Sequence, residues 1–241
     1  MNRFFVEKVS GNKAVIPDKE QLHHIKDVLR LKTGDEIEIA DAGGNDYSGV
    51  ITSIGGKQVE VKVTLKKAAG EEVLKLTVAC AIPKNTRFDD VVDFLTQLNV
   101  ERIIPMQTER VIVKLEGEKA EERRRRWVKI AESAAKQSCR SRIPVIEPLT
   151  NFAEVILKSE DYDLKLIPNL DGERQLIRDV VAAHKPRNII ALIGPEGDFT
   201  PEEVKAAVAS GFLPVSLGNT VLRVATAAIA VASYIKFAAG E

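Results

Sequence analysis

Apolar and polar residues alternate strictly through Gln58 to Leu65, with Val59, Val61, Val63 and Leu65 on one side, the period of a strand with one buried face. Asp35 to Asp41 and Tyr47 to Ile54 flank Gly43-Gly44-Asn45, a hairpin signal. One helix, Lys19 to Leu29, is predicted ahead of them and stops before the turn Lys32-Thr33-Gly34-Asp35. Short strands joined by glycine turns predict a small β-barrel over residues 1–70. The polar stretch Lys66 to Glu72 marks the domain boundary.

From there the period changes. Leu74 to Ile82 reads as a strand, and Thr86 to Leu98 as a helix with Phe88, Val91, Val92, Leu95 and Leu98 on one face. Thr86 and Asp89 are spaced as a capping box. Val100 to Pro105 is a second strand, and a long helix runs from Glu118 to Ser138. A strand at Asp163 to Ile167, a helix from Glu173 to His184 and the apolar run Ile189 to Ile193 follow. The run is what a parallel strand covered on both faces looks like. The expected fold class of residues 71–241 is α/β with a mainly parallel sheet.

The segment Leu192 to Gly218 carries the densest signals. A buried strand ends in Gly194-Pro195-Glu196-Gly197, and a helix then starts with Thr200 as N-cap, Pro201 in the first turn and Glu203 completing a capping box. Gly211 stops that helix, and a strand from Leu213 to Leu217 ends at Gly218. Two glycine-marked loops therefore leave the carboxyl ends of what read as neighbouring strands, where open α/β sheets bind ligands. Their main-chain groups can read a nucleobase edge. The spacing alone is equally compatible with plain strand–helix turns. No glycine fingerprint follows the first α/β strand, where Pro83-Lys84-Asn85-Thr86 stand, and no Walker A loop exists.

Composition adjusts this picture little. The 241 residues carry 35 basic and 35 acidic side chains, a balance that argues mildly against a nucleic-acid binder until the distribution is considered. Arg123 to Arg142 holds eight Lys/Arg against Glu132 alone, which fits phosphate binding through Arg123, Arg124, Arg140 and Arg142. A solvated helix face paired with Glu118, Glu121 and Glu122 is the other reading. Lys26, Arg30 and Lys32 form a second basic patch. Two cysteines, Cys80 and Cys139, fit small buried thiols of a reduced compartment better than a disulfide framework. The N-terminus has no signal-peptide core and no stretch is apolar enough for a membrane span, so a cytoplasmic protein without a membrane partner is expected. His23 and His24 stand without carboxylate or cysteine partners, so no metal is expected, and Trp127 reads as packing material.

Ile193-Gly194-Pro195-Glu196-Gly197, then Leu217-Gly218-x-x-x-Leu222-Arg223 and Thr226-Ala227, resembles the SPOUT methyltransferases that modify uridine at ring nitrogen N3 in 16S ribosomal RNA. Pro83-Lys84, Ile104-Pro105 with Thr108-x-Arg110, Ala134-Ala135-x-Gln137-Ser138-x-Arg140 and His23-His24-Ile25 to Leu29-Arg30 fall in the family's order. The resemblance implies a deep trefoil knot in the C-terminal domain, a PUA-like N-terminal barrel, a homodimer and S-adenosylmethionine as methyl donor, without metal. It implies donor contacts from Ile193, Gly194, Pro195, Glu196, Gly197, Leu217, Gly218 and Leu222. Arg110 and Arg223 are candidates to stabilise the uridine anion, and structural salt bridges are their alternative role. Three positions depart from the family pattern. Ala225 replaces a glutamate, Asp198 a glycine, and Phe94 to Asn99 a Lys-x-x-Glu-Leu-Gly segment. They leave open a paralogue with another RNA target, or an RNA-binding assembly protein without turnover.

Overall fold

The computed structural model describes residues 2–41, 43–67, 74–84, 87–111, 115–138, 140 and 142–238. Cys139, Thr86 and the junction beyond Lys67 lie outside the described residues. The chain forms two compact units, one of residues 1–71 with 135–142 and one of residues 72–134 with 143–241.

The first unit contains β1 (Arg3–Val6), β2 (Val9–Ser10), β3 (Lys13–Ile16), α1 (Lys19–His23), β4 (Glu36–Asp41), β5 (Asp46–Ile54) and β6 (Val59–Lys67). The strands make a barrel-like sheet in the order β1-β4-β5-β6-β3-β2. Alternation sends Ile37, Ile39, Ile51, Val59 and Val61 inward, where they meet Phe4, Ile16, Leu22 and Ile25. The predicted helix over 19–29 divides in two. Asp18 caps α1, and His24–Val28 continues as a π-helical turn closed by Leu29 N–H on the His24 carbonyl at 2.8 Å. His23 does find a carboxylate, Asp27, at 2.6 Å one turn on, which corrects the expectation of no partner. At the hairpin, burial opposes ionisation of Asp41, but hydrogen bonds from Asn45, Tyr47 and Gly43 outweigh it and hold its pKa below the usual value.

The second unit follows the order β7 (Lys75–Ala81), α2 (Arg87–Gln97), β8 (Arg102–Gln107), α3 (Gly117–Gln137), β9 (Val145–Ile146), β10 (Thr150–Asn151) and α4 (Phe152–Leu157), then β11 (Leu164–Pro168), β12 (Gln175–Leu176), α5 (Ile177–His184), β13 (Asn188–Ile193), α6 (Pro201–Ala209), β14 (Leu213–Ser216) and α7 (Val224–Ala238). All its pairings are parallel, in the order β10-β8-β7-β13-β11-β14-β12, with β9 on β8. The apolar run predicted as a doubly covered strand is β13. Ile189, Ala191 and Ile193 point into one core with Phe88, Leu95, Val231 and Ile235, while Ile190 and Leu192 point into another with Phe152, Phe199 and Phe212. Asp89 accepts from Trp127 Nε1 at 3.1 Å and pairs with Arg126 at 2.5 Å, tying α2 to α3; its expected capping box with Thr86 lies outside the described residues. The predicted helix from 173 begins four residues later, because Gln175 and Leu176 pair with Val215 and Ser216 as β12.

Candidate active site

The strands β13, β11 and β14 run parallel and side by side, so their carboxyl ends open together. The two glycine loops do not leave adjacent strands, as the sequence reading has it, because β11 lies between β13 and β14. Its own loop, residues 169–174, supplies a third wall. All three loops line one cavity, whose roughly 590 Å³ of empty space includes open solvent.

Of the residues expected at a ligand, Ile193, Gly194, Pro195, Glu196, Leu217, Gly218 and Leu222 line this cavity. Gly197 does not; it faces Arg110, whose Nη1 donates to the Gly197 carbonyl at 2.6 Å and the Phe199 carbonyl at 3.3 Å. Gly218 has φ of +120°, a conformation only glycine adopts readily. At Gly194 a Cβ would come within 3.1 Å of the Phe199 ring and 3.2 Å of Asp198 Oδ1, so the main chain lies close against its surroundings there.

Asp198 explains one departure from the family pattern. It keeps the left-handed conformation that glycine would hold, with φ of +58°. Aspartate tolerates it, and here the carboxylate also accepts from its neighbour Phe199 N at 2.8 Å and from Leu170 N at 2.7 Å. The Leu170 bond ties the loop after β11 to the loop after β13. Asn99 repeats the logic at the end of α2, where φ is +56° and asparagine is the usual substitute for glycine. Ala225 has no such compensation, for the first turn of α7 carries no acidic residue.

Asn169, Leu170 and Arg174 were missed by the sequence reading. The available signal was Asn169 directly after the strand, with the turn residues Asp171-Gly172 behind it. Asn169 is buried, its Nδ2 donates to the Asp171 carbonyl at 2.5 Å, and its Oδ1 is covered yet accepts no hydrogen bond among the described residues. Arg174 Nη1 donates to the Asn169 carbonyl at 2.8 Å. The charged residues lining the cavity are Arg174, Glu196 and Asp198. Glu196 Oε1 also accepts from Lys84 N at 3.0 Å, joining the loops after β7 and β13. Cys80 beneath is no nucleophile, since burial, reinforced by Glu196, pushes its thiol well above its usual pKa.

The capping box at α6 forms as predicted and does more than cap. Glu203 Oε2 accepts from Thr200 N at 2.9 Å, while Oε1 accepts from Glu109 N at 2.9 Å, anchoring the segment that carries Arg110. Glu203→Gln is expected to lower stability by about 1–3 kcal/mol, since one buried N–H then faces an amide N–H₂. Faster hydrogen exchange at the Glu109 or Thr200 amide is the direct readout, and unchanged exchange at both would contradict the assignment.

Arg223 follows cavity-lining Leu222, is exposed, and makes no side-chain ion pair among the described residues. The basic residues expected at RNA divide. Arg140, expected at RNA phosphates, is only 8% exposed. Arg142 is exposed, and its side chain lies across Gly44, where a Cβ would approach within 2.8 Å of Cδ. Arg124 Nε donates to the Ile146 carbonyl at 2.9 Å, and its Nη1 pairs with Glu121 at 3.3 Å. Arg123 is half-buried on α3, Arg30 and Lys32 are exposed, and Lys26 donates to the Gly55 carbonyl.

Comparison with known proteins places this geometry. Residues 16–64 match the model of an RNA methyltransferase PUA domain, and residues 70–236 that of an RNA methyltransferase domain. The fold and site thus define an RNA methyltransferase with a PUA domain. Ribosomal RNA small subunit methyltransferase E of Bacillus subtilis is 28% identical over 98% of this chain and 96% of that protein. Its Synechocystis counterpart is 33% identical over 86% of this chain and 67% of that protein. The crystal structure of the Neisseria gonorrhoeae protein of that name, bound to S-adenosyl methionine, is 27% identical with a TM-score of 0.88, covering 99% of this chain and 98% of that one. This chain belongs to the ribosomal RNA small subunit methyltransferase E family.

Proposed function

We propose that the chain transfers a methyl group from S-adenosylmethionine to N3 of a uridine in 16S ribosomal RNA. The observation that carries the reading is the convergence of three loops on one cavity with two anions, Glu196 and Asp198, and one cation, Arg174. The donor carries the complementary set, a sulfonium and an ammonium against one carboxylate. The apolar walls from Ile193, Leu217, Val221, Leu222 and Val224 suit an adenine ring between main-chain segments. The covered Oδ1 of Asn169, unpartnered among the described residues, further fits a ligand that brings a donor group.

When bound, S-adenosylmethionine supplies a methyl group on a sulfonium, whose C–S electron pair leaves with sulfur as the new N–C bond forms. The chain's residues must align the uridine, exclude water and stabilise the anion left when the N3 proton departs. Arg223 is the residue assigned to the uridine carbonyl oxygens, because it sits one position past the cavity with its guanidinium unpaired among the described residues. Arg110 acts one step removed, by holding the Gly197–Phe199 segment. The first unit and the exposed members of the basic set, Arg30, Lys32 and Arg142, hold RNA phosphates. Threading as a trefoil knot and pairing as a homodimer belong to the same reading, as does a cytoplasmic site of action on the small ribosomal subunit.

N3 lies on the pairing edge of uridine, so methylation there stops reverse transcriptase. Mapping 16S RNA from a strain lacking the gene is expected to show one such stop abolished, and restored by the intact gene. A full set of stops in the deletion strain contradicts the assigned target. A different site lost instead would favour a paralogue with another RNA target, the reading to which Ala225 points.

A further inference from the structure

A second cavity opens at the amino end of the same sheet. On that face β7 presents the small side chains of Thr77 and Ala79, in register with Ile190 and Arg102 and with Leu192 and Ile104. The helix above, α4, ends after six residues at Leu157. The space left over is lined by Ile104, Ile190 and Val155. Asn188 lines this cavity and Ile193 the donor cavity, so the two stand at opposite ends of β13, roughly 16 Å apart along the strand. Tyr162, also in the lining, donates its hydroxyl to Thr77 Oγ1 at 3.1 Å, and Thr77 is only 4% exposed. Two hydroxyls that share one bond leave an O–H and several lone pairs, and neither finds a second partner among the described residues. Lys158 and Asp161, in the same lining, are exposed and make no ion pair among the described residues. Arg102 pairs with Glu147 through Nη1, and its other N–H groups find no partner among the described residues.

We propose that this cavity binds a nucleoside monophosphate unit, with the base among Ile104, Val155 and Ile190, the ribose hydroxyls on Asp161 and the phosphate on Lys158 and Arg102. A nucleobase is a flat apolar body with donors and acceptors on its rim, which suits apolar walls around a hydroxyl pair able to do both. A carboxylate accepts from ribose hydroxyls, and an ammonium with a guanidinium fits a phosphate. The unit comes either from a free nucleotide or from a nucleotide of bound RNA. No residue lines both cavities, so the inference stands apart from the donor reading.

Calorimetry of the full chain with the four ribonucleoside 5′-monophosphates and their parent nucleosides tests the site. At least one nucleotide is expected to bind with a dissociation constant of about a millimolar or tighter. Lys158→Ala, at an exposed position, should weaken that nucleotide roughly tenfold while its nucleoside changes by less than about twofold. Tyr162→Phe removes only the hydroxyl and should weaken nucleotide and nucleoside alike. S-adenosylhomocysteine, directed to the other end of β13, should leave nucleotide binding unchanged. No binding by any nucleotide, displacement by S-adenosylhomocysteine, or unaltered affinity in the Lys158→Ala variant overturns the assignment. Displacement of the nucleotide by a short ribosomal RNA oligonucleotide identifies RNA as the source, and its persistence identifies a free nucleotide.

Discussion

Arg223→Ala is expected to slow methyl transfer roughly a hundredfold to a thousandfold while leaving S-adenosylmethionine affinity nearly unchanged. The split follows from position. Leu222 lines the cavity, and Arg223 beside it does not, so donor binding loses no contact when the guanidinium goes. The charge matters only as N3 of the uridine loses its proton, when negative charge spreads to the flanking carbonyl oxygens. A preorganised cation then stabilises the transition state more than the ground state, which lowers turnover on removal rather than donor binding. Raising the pH should restore part of the rate, because it supplies the imide anion that the arginine otherwise favours. Full activity in the alanine variant, or a loss confined to donor affinity, would refute this role.

Phe88→Ala carries the largest expected cost to stability, about 3–5 kcal/mol. The ring is buried in the main core, with its centroid 4.5 Å from that of Trp127. Removing it leaves a void between α2 and α3 that the neighbouring strand residues cannot fill. Trp127 is the chain's only tryptophan, so its fluorescence reports on this contact directly. Denaturant titration should show an earlier midpoint with an unchanged slope, together with altered emission from the folded state. A loss below about 1 kcal/mol would mean that the core closes over the gap.

The parts of the molecule visible in the sequence are those whose causes are local. Strict alternation at Val59 to Leu65 becomes β6, and the Thr200–Glu203 pair becomes a real capping box, because each depends on residues within one turn or one strand. What was hidden depends on distant partners. β12 exists because Gln175 and Leu176 find β14, some forty residues later, and no local signal announces that. The placement of β11 between β13 and β14 is equally non-local, and it brings Asn169 and Arg174 into the cavity. The resemblance named seven of the cavity-lining residues on two loops, while the third loop lacks a glycine-proline signature. Burial of Arg140 was invisible for the same reason, since a basic run reads as surface until the fold closes over it.

The grouping of residues 135–142 with the first unit has a practical consequence for dissecting the protein. A polypeptide stopped at residue 71 leaves behind the buried Arg140 and the Arg142 side chain that lies across Gly44. The shortest single fragment that contains every piece of that unit runs from the N-terminus to residue 142. Such a fragment necessarily takes along β7, α2, β8 and α3, stripped of the strands they pair with later in the chain. Neither half can be excised with one cut, so a clean separation calls for a circular rearrangement or an engineered splice.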